Sequence, residues 1–314
     1  MKTFLTFALL GLFTPLSLFS TEKTRLEEVA TFPDQQLTGI AISKSGRTFI
    51  NFPFWSDSHT TSVAEVLPDG SLKPYPDAAW NAKEGDAGKR WICVQSVYVD
   101  DTDHLWILDA ASPKMEAVVP GGAKLIKINL LTNKIVQAIP FDESLAPEKS
   151  YLNDVRVEVG TNHAYITESG LGSILVVNLT TGKARKVMAE DRSVKAEEDV
   201  TLEVDGIKPI DPKTGKTPKM QADGIALDET AGELYFHALT GYTLYKIKTS
   251  GNESLSEKDL VAKIENLGKT PATDGMLMGK EQTVYLTTFE NNSISRWNGT
   301  SGKLETVIKD DRLQ

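Results

Sequence analysis

Apolar residues recur at every second position in short runs along this chain, and the runs are broken by polar turns. Five stretches share one plan: "TGIAISKSGRTFINF" from Thr38, "QSVYVDDTDHLWILDA" from Gln95, "NDVRVEVGTNHAYITE" from Asn153, "DGIALDETAGELYFHAL" from Asp223 and "DGMLMGKEQTVYLTTF" from Asp274. Each opens on a polar residue, runs through an alternating segment, turns tightly and enters a second segment richer in bulky side chains. Period-2 alternation predicts strands, and the absence of long 3.6-period stretches excludes helical repeats. The starts lie 57, 58, 70 and 51 residues apart. After each stretch come two further β-rich runs around a polar turn, as in "GSILVVNLTTGKARKV". Four antiparallel strands at this period predict β-propeller blades.

The repeat explains why strands begin on polar groups. In a propeller the innermost strands line a central channel, and their first residues meet at one mouth. Thr38, Gln95, Asn153, Asp223 and Asp274 form such a column, and the next column is Gly39, Ser96, Asp154, Gly224 and Gly275. Glycine there lets neighbouring backbones approach closely. Gln95, Asn153, Asp154, Asp223 and Asp274 are therefore the candidate ligand-binding residues. Asn153, Asp223 and Asp274 also offer hard oxygen donors of the kind that suit calcium or another divalent cation. An Asp-Gly turn with no ligand accounts equally for Asp223 and Asp274. The long third interval holds the polar segment 195–221, with three prolines, which reads either as a lid over the mouth or as a surface hairpin.

The first 20 residues carry Lys2, then an apolar run over 4–19, then Ser20 before polar sequence. They predict a cleaved export signal, with residues 21–314 as the propeller and a secreted or periplasmic location. Cys93 is the only cysteine, so no intrachain disulfide can form, and its apolar setting suggests a packed core thiol. The formal net charge of −9, without basic blocks, argues against nucleic acid as a partner. After signal cleavage the chain is expected to be a monomer away from the membrane. The four histidines form no triad with a serine and an acid. Four tryptophans, Trp55, Trp80, Trp91 and Trp106, gather in the first two units, where one or two could face the mouth.

Five units use residues 38–310, and "RLEEVATF" (25–32) is left as a strand without a blade. The expectation from this count is a six-bladed all-β propeller whose sixth blade is incomplete in this chain, with residues 25–32 as its closing strand. The order of "FPFW" (52–55), "PYPDAAWN" (74–81), "LWILDA" (105–110), "AYITESGLGSILVVNLTTGKARKV" (164–187), "GIALDETAGELYFHALTGYTLYKI" (224–247) and "ISRWN" (294–298) resembles the major royal jelly/yellow protein family. The single cysteine is closer to a bacterial branch, and the ending resembles a C-terminal truncation of that family's chain. The resemblance implies a six-bladed fold and a secreted binder of small molecules such as biogenic amines, and the polar column puts that binding at the channel mouth. It leaves open a dopachrome-type isomerase. By analogy of architecture, a metal-assisted lactonase is a further alternative, and a protein-binding scaffold is another.

Overall fold

Each alternating run becomes a strand, and each sheet is filled from its own repeat. The computed structural model describes residues 25–211 and 214–313. Its first sheet holds β1 (Gly39–Ile42), β2 (Thr48–Asn51), β3 (Val63–Val66) and β4 (Leu72–Pro74). The second holds β5 (Val94–Val99), β6 (His104–Asp109), β7 (Lys124–Asn129) and β8 (Lys134–Pro140). The third holds β9 (Leu152–Glu158), β10 (His163–Glu168), β11 (Ser173–Asn178) and β12 (Ala184–Val187). The fourth holds β13 (Ala222–Asp228), β14 (Glu233–Ala238), β15 (Thr243–Lys248) and β16 (Glu265–Lys269). The fifth holds β17 (Met276–Met278), β18 (Thr283–Thr288), β19 (Ser293–Asn298) and β20 (Leu304–Lys309). All neighbours pair antiparallel in chain order, so every sheet is a meander.

The molecule is a five-bladed β-propeller with four-stranded blades, which corrects the expectation of six blades with an incomplete sixth. Residues 25–32 form no strand. The reason lies in edge pairing. A strand exists only where it pairs with an edge, each described blade already takes all four strands from its own repeat, and the N-terminal segment pairs with none of them. What residues 25–32 supply is an anchor: the Phe32 ring meets Phe52 edge-on at 5.5 Å between centroids. The proposed export signal lies outside the described residues. Among those described, no helix is long and apolar enough to cross a membrane.

The core is a series of seams between blades. Both faces of a central blade are apolar because each packs on a neighbour. Ala41, Phe49 and Val63 meet Val97, Leu105 and Ile107 in the first seam. Trp106 and Leu108 meet Val155 and Ile166 in the second. Tyr165 and Ile174 meet Ile225 and Phe236 in the third, and Ala226 and Tyr235 meet Met276 and Trp297 in the fourth. Inner strands accordingly pack in order, β1 on β5, β5 on β9, β9 on β13 and β13 on β17. Among the described residues no comparable seam joins β17 to β1.

The segment 195–221 reaches across the fourth and fifth blades. Val200, Leu202 and Ala272 are buried together against Leu239, Tyr242 and Phe289, which follow the second strands of those blades. The Glu203 amide donates to Glu290 at 2.9 Å, and Asn292 donates to Asp205 at 3.0 Å. Lys219 ties its base by donating to the carbonyls of Glu197, Glu198 and Val200. It is a strap fixed to two blades.

Candidate functional site at the channel mouth

The polar column predicted from the repeat assembles as a continuous hydrogen-bonded belt. The Thr38 hydroxyl donates to the Gln95 carbonyl at 3.1 Å. Gln95 Nε2 donates to Asn153 Oδ1 at 3.1 Å, and Asn153 Nδ2 donates to Asp223 Oδ1 at 2.8 Å. Asp223 in turn hydrogen-bonds the Asp274 carboxyl. All five residues sit where the inner strands begin, so five separate repeats supply one belt. Its amide groups all point their N–H toward Asp223.

Two aromatic residues extend the belt to the rim. Trp55 Nε1 donates to the Tyr151 hydroxyl at 2.6 Å, which donates to Gln95 Oε1 at 2.8 Å. Of the four early tryptophans, Trp55 is the one tied to the column. Trp80 and Trp91 pack on each other at 4.4 Å, and Trp106 is buried in the second seam.

The carboxyl pair sets the electrostatics. Asp223 is buried, with 3% of its surface exposed. Burial pushes its pKa well above the carboxylate range, and the nearby Asp274 and Asp154 add to the shift. Asp274 keeps solvent contact, yet protein surrounds it closely enough that the loss of hydration raises its pKa as well. Two adjacent carboxyls cannot both ionise cheaply, so the pair resists losing both of its protons, and Asp223 is the more deeply buried of the two. Asp154 is neutralised separately: Arg156 lies 2.9 Å away and Ser96 donates to it at 2.6 Å. The same Arg156 donates to the Met276 carbonyl of the fifth blade at 2.7 Å and lies over the Tyr98 ring. Among the described residues, no group of three or more His, Cys, Asp or Glu is arranged to hold a metal ion.

The glycines of the second column differ in their need. A Cβ on Gly224 would come within 2.8 Å of the Asp274 carbonyl oxygen, so glycine is what lets the fourth blade close on the fifth. Gly275 has only ordinary contacts, 3.4 Å from Thr287.

Sequence reasoning passed over a second set of acids behind the belt. Asp109 accepts from the Ile92, Cys93 and Ala111 amides and from Lys124 at 2.8 Å, with both charged groups buried. Glu168 accepts from the Tyr151, Gly170, Leu171 and Gly172 amides. Each stands at the end of a second strand and fastens the loops around the mouth. The signal was present in "LWILDA" and "AYITES", where an acid follows an apolar run and precedes small residues.

The remaining candidates are occupied by local contacts. Burial pushes the Cys93 thiol up to about 12, and Asp109 adds to the shift. His237 is fully buried between the Ala238 carbonyl and Thr270, and burial lowers its pKa to about 4. His59 stacks on Phe54, and His163 contacts Glu253 at 2.7 Å.

The sequence profile of the major royal jelly protein family matches residues 92–313, four of the five blades. The chain belongs to that family. No curated protein sequence matches it. Among solved structures, a catalytically inactive virginiamycin B lyase from Staphylococcus aureus with quinupristin is similar at 15% identity and a TM-score of 0.46, covering 87% of this chain and 84% of that one. A streptogramin B lyase is similar at 15% identity and a TM-score of 0.48, covering 88% and 84%. Within the family's matched region lie four members of the belt, Gln95, Asn153, Asp223 and Asp274.

Proposed function

We propose that this chain is an exported member of the major royal jelly protein family that binds a small molecule at the channel mouth. The observation that carries this reading is Asp274, an exposed carboxyl held at the end of the hydrogen-bonded belt. Asp223 supports it from behind, and solvent reaches it from in front. Such a group accepts a hydrogen bond or a positive charge from a ligand. The belt is preformed, so a ligand meets an ordered acceptor and little ordering cost is added on binding. Membership in the family and the propeller fold support the reading, and the apolar run at 4–19 supports export.

Calorimetry of the folded protein against amines, catechols and lactones tests it. We expect one class to bind, and Asp274→Asn to weaken that binding at least about tenfold, the loss of a charge-assisted hydrogen bond. Absence of heat with every class, or binding indifferent to Asp274→Asn, overturns the proposal.

A further inference from the structure

Below the belt the inner strands carry two more levels, and each holds a single charged residue. One residue on from the belt that residue is Asp154, and three residues on it is Arg156. The two are paired at 2.9 Å, with both side chains largely buried. Asp154 Oδ1 is fixed from two blades, by the Ser96 hydroxyl of β5 at 2.6 Å and the Val155 amide of its own strand at 2.8 Å. Arg156 reaches further. Its Nη1 donates to the Val155 carbonyl at 2.7 Å, and its Cζ lies 5.4 Å from the centre of the Tyr98 ring on β5. Its Nη2 donates to the Met276 carbonyl on β17 at 2.7 Å. That last bond passes over a whole blade, because β13 packs between β9 and β17. At the two levels concerned β13 carries Gly224 and Ala226, so it presents nothing longer than a methyl group there. One side chain thus ties the second, third and fifth blades, and its hold on the fifth falls two residues after Asp274. The acid level is also joined to the belt. Thr167 Oγ1 accepts from the Asp154 amide at 3.2 Å and donates to the Asp223 carbonyl at 2.7 Å.

We propose that Arg156 is the positioning residue of the mouth: it holds the inner strand that carries Asp274, and it cancels the charge of Asp154 beneath the belt. This inference rests on the reading of Asp274 as the acceptor for a ligand. Three acids converge on the mouth, Asp154, Asp223 and Asp274, and among the described residues the cation paired with them is Arg156. Burial raises the pKa of Asp223 and of Asp274, and Asp154 adds to the shift in each. A bare Asp154 carboxylate would therefore keep Asp274 protonated to higher pH and weaken it as an acceptor of positive charge. The guanidinium suits both tasks. Its donors lie on separate nitrogens in one plane, so it bonds a carboxylate and a carbonyl at once while its face rests on an aromatic ring. A lysine ammonium is a point charge and cannot span the same three partners.

Two measurements made without ligand read the two tasks, so their failure is distinct from a failure of the calorimetry. NMR of carboxyl-labelled aspartate follows the titration of Asp274, and hydrogen exchange follows the amides of β17 and β18. Arg156→Met is expected to raise the Asp274 midpoint by at least about half a pH unit and to speed exchange in β17 and β18 at least about tenfold. Adding Asp154→Asn to that variant is expected to bring the midpoint back while exchange stays fast. Arg156→Lys keeps the charge but loses the bond to the Met276 carbonyl, so it is expected to leave the midpoint in place and still speed exchange. A midpoint unmoved by Arg156→Met, or one that Asp154→Asn does not restore, overturns the proposal. Exchange in β17 and β18 that neither Arg156→Met nor Arg156→Lys changes overturns it as well. Circular dichroism checks folding, and Arg156→Gln, uncharged but polar, replaces the methionine variant in the titration if the latter does not fold.

Discussion

Asp223 shows at the residue scale how a repeat position becomes electrostatically special. The sequence offers Asp-Gly twice, before the fourth and the fifth inner strands, and a local turn would explain either. Folding sets Asp223 against Asp274 and takes it out of water, which raises its pKa above the unfolded value of about 3.9. The folded state then binds more protons than the unfolded state from that value up to the raised one. Stability from this group is present below the unfolded pKa and is lost as pH rises toward the folded pKa. Asp223→Asn keeps the shape, accepts from Asn153 and donates to Asp274 without a proton to lose. The variant is expected to gain on wild type as pH rises, by about 1–3 kcal/mol at neutral pH. Denaturant melts of both proteins at about pH 4.5 and about pH 7.5, roughly 0.6 and roughly 3.6 units above the unfolded aspartate value, check this. A constant difference between them would count against a shared proton. Asp109 gives a second test. Asp109→Ala strands the buried Lys124 and frees three loop amides, and a loss of about 3–5 kcal/mol is expected in the same melts.

Blades are the elements here, and their seams set how strongly each is held. Both faces of the second, third and fourth blades are covered, whereas the fifth is held through its back face and the strap. The fourth seam is close because Gly224 lets β13 approach the backbone at Asp274. Gly224→Ala places a methyl group against the Asp274 carbonyl and Met276, and an overpacking cost of about 1–3 kcal/mol is expected. Hydrogen exchange should show the loss of protection concentrated in β17 to β20, with β5 to β8 unchanged. A uniform loss over all blades would mean that the seam is not the unit of stability. The strap belongs to the same scale. Its apolar pair Val200 and Leu202 was hidden in a polar, proline-containing stretch, and only the turns after β14 and β18 give those side chains a place to bury.

For the whole molecule, the sequence by itself determined the strands, their grouping in fours, the count of five full repeats and the polar column. Those features are local or periodic: alternation fixes which face a side chain takes, and turn residues fix where strands end. The family was also legible, because the phrases that carry it keep their order along the chain. Tertiary structure decided what periodicity leaves open. Residues 25–32 alternate well enough to read as a strand, but a strand exists only where an edge pairs with it, and none of the described sheets takes that segment. The column was visible as polar residues, while the direction of its hydrogen bonds, the carboxyl pair and the support from Tyr151 and Trp55 were not. Those depend on contacts 51 to 96 residues apart in sequence, distances over which no local pattern constrains geometry. The anchoring roles of Asp109 and Glu168 escaped for a different reason, since their donors lie only 2 to 17 residues away. An acid at a strand end reads as exposed until the loops that supply its donors fold back over it.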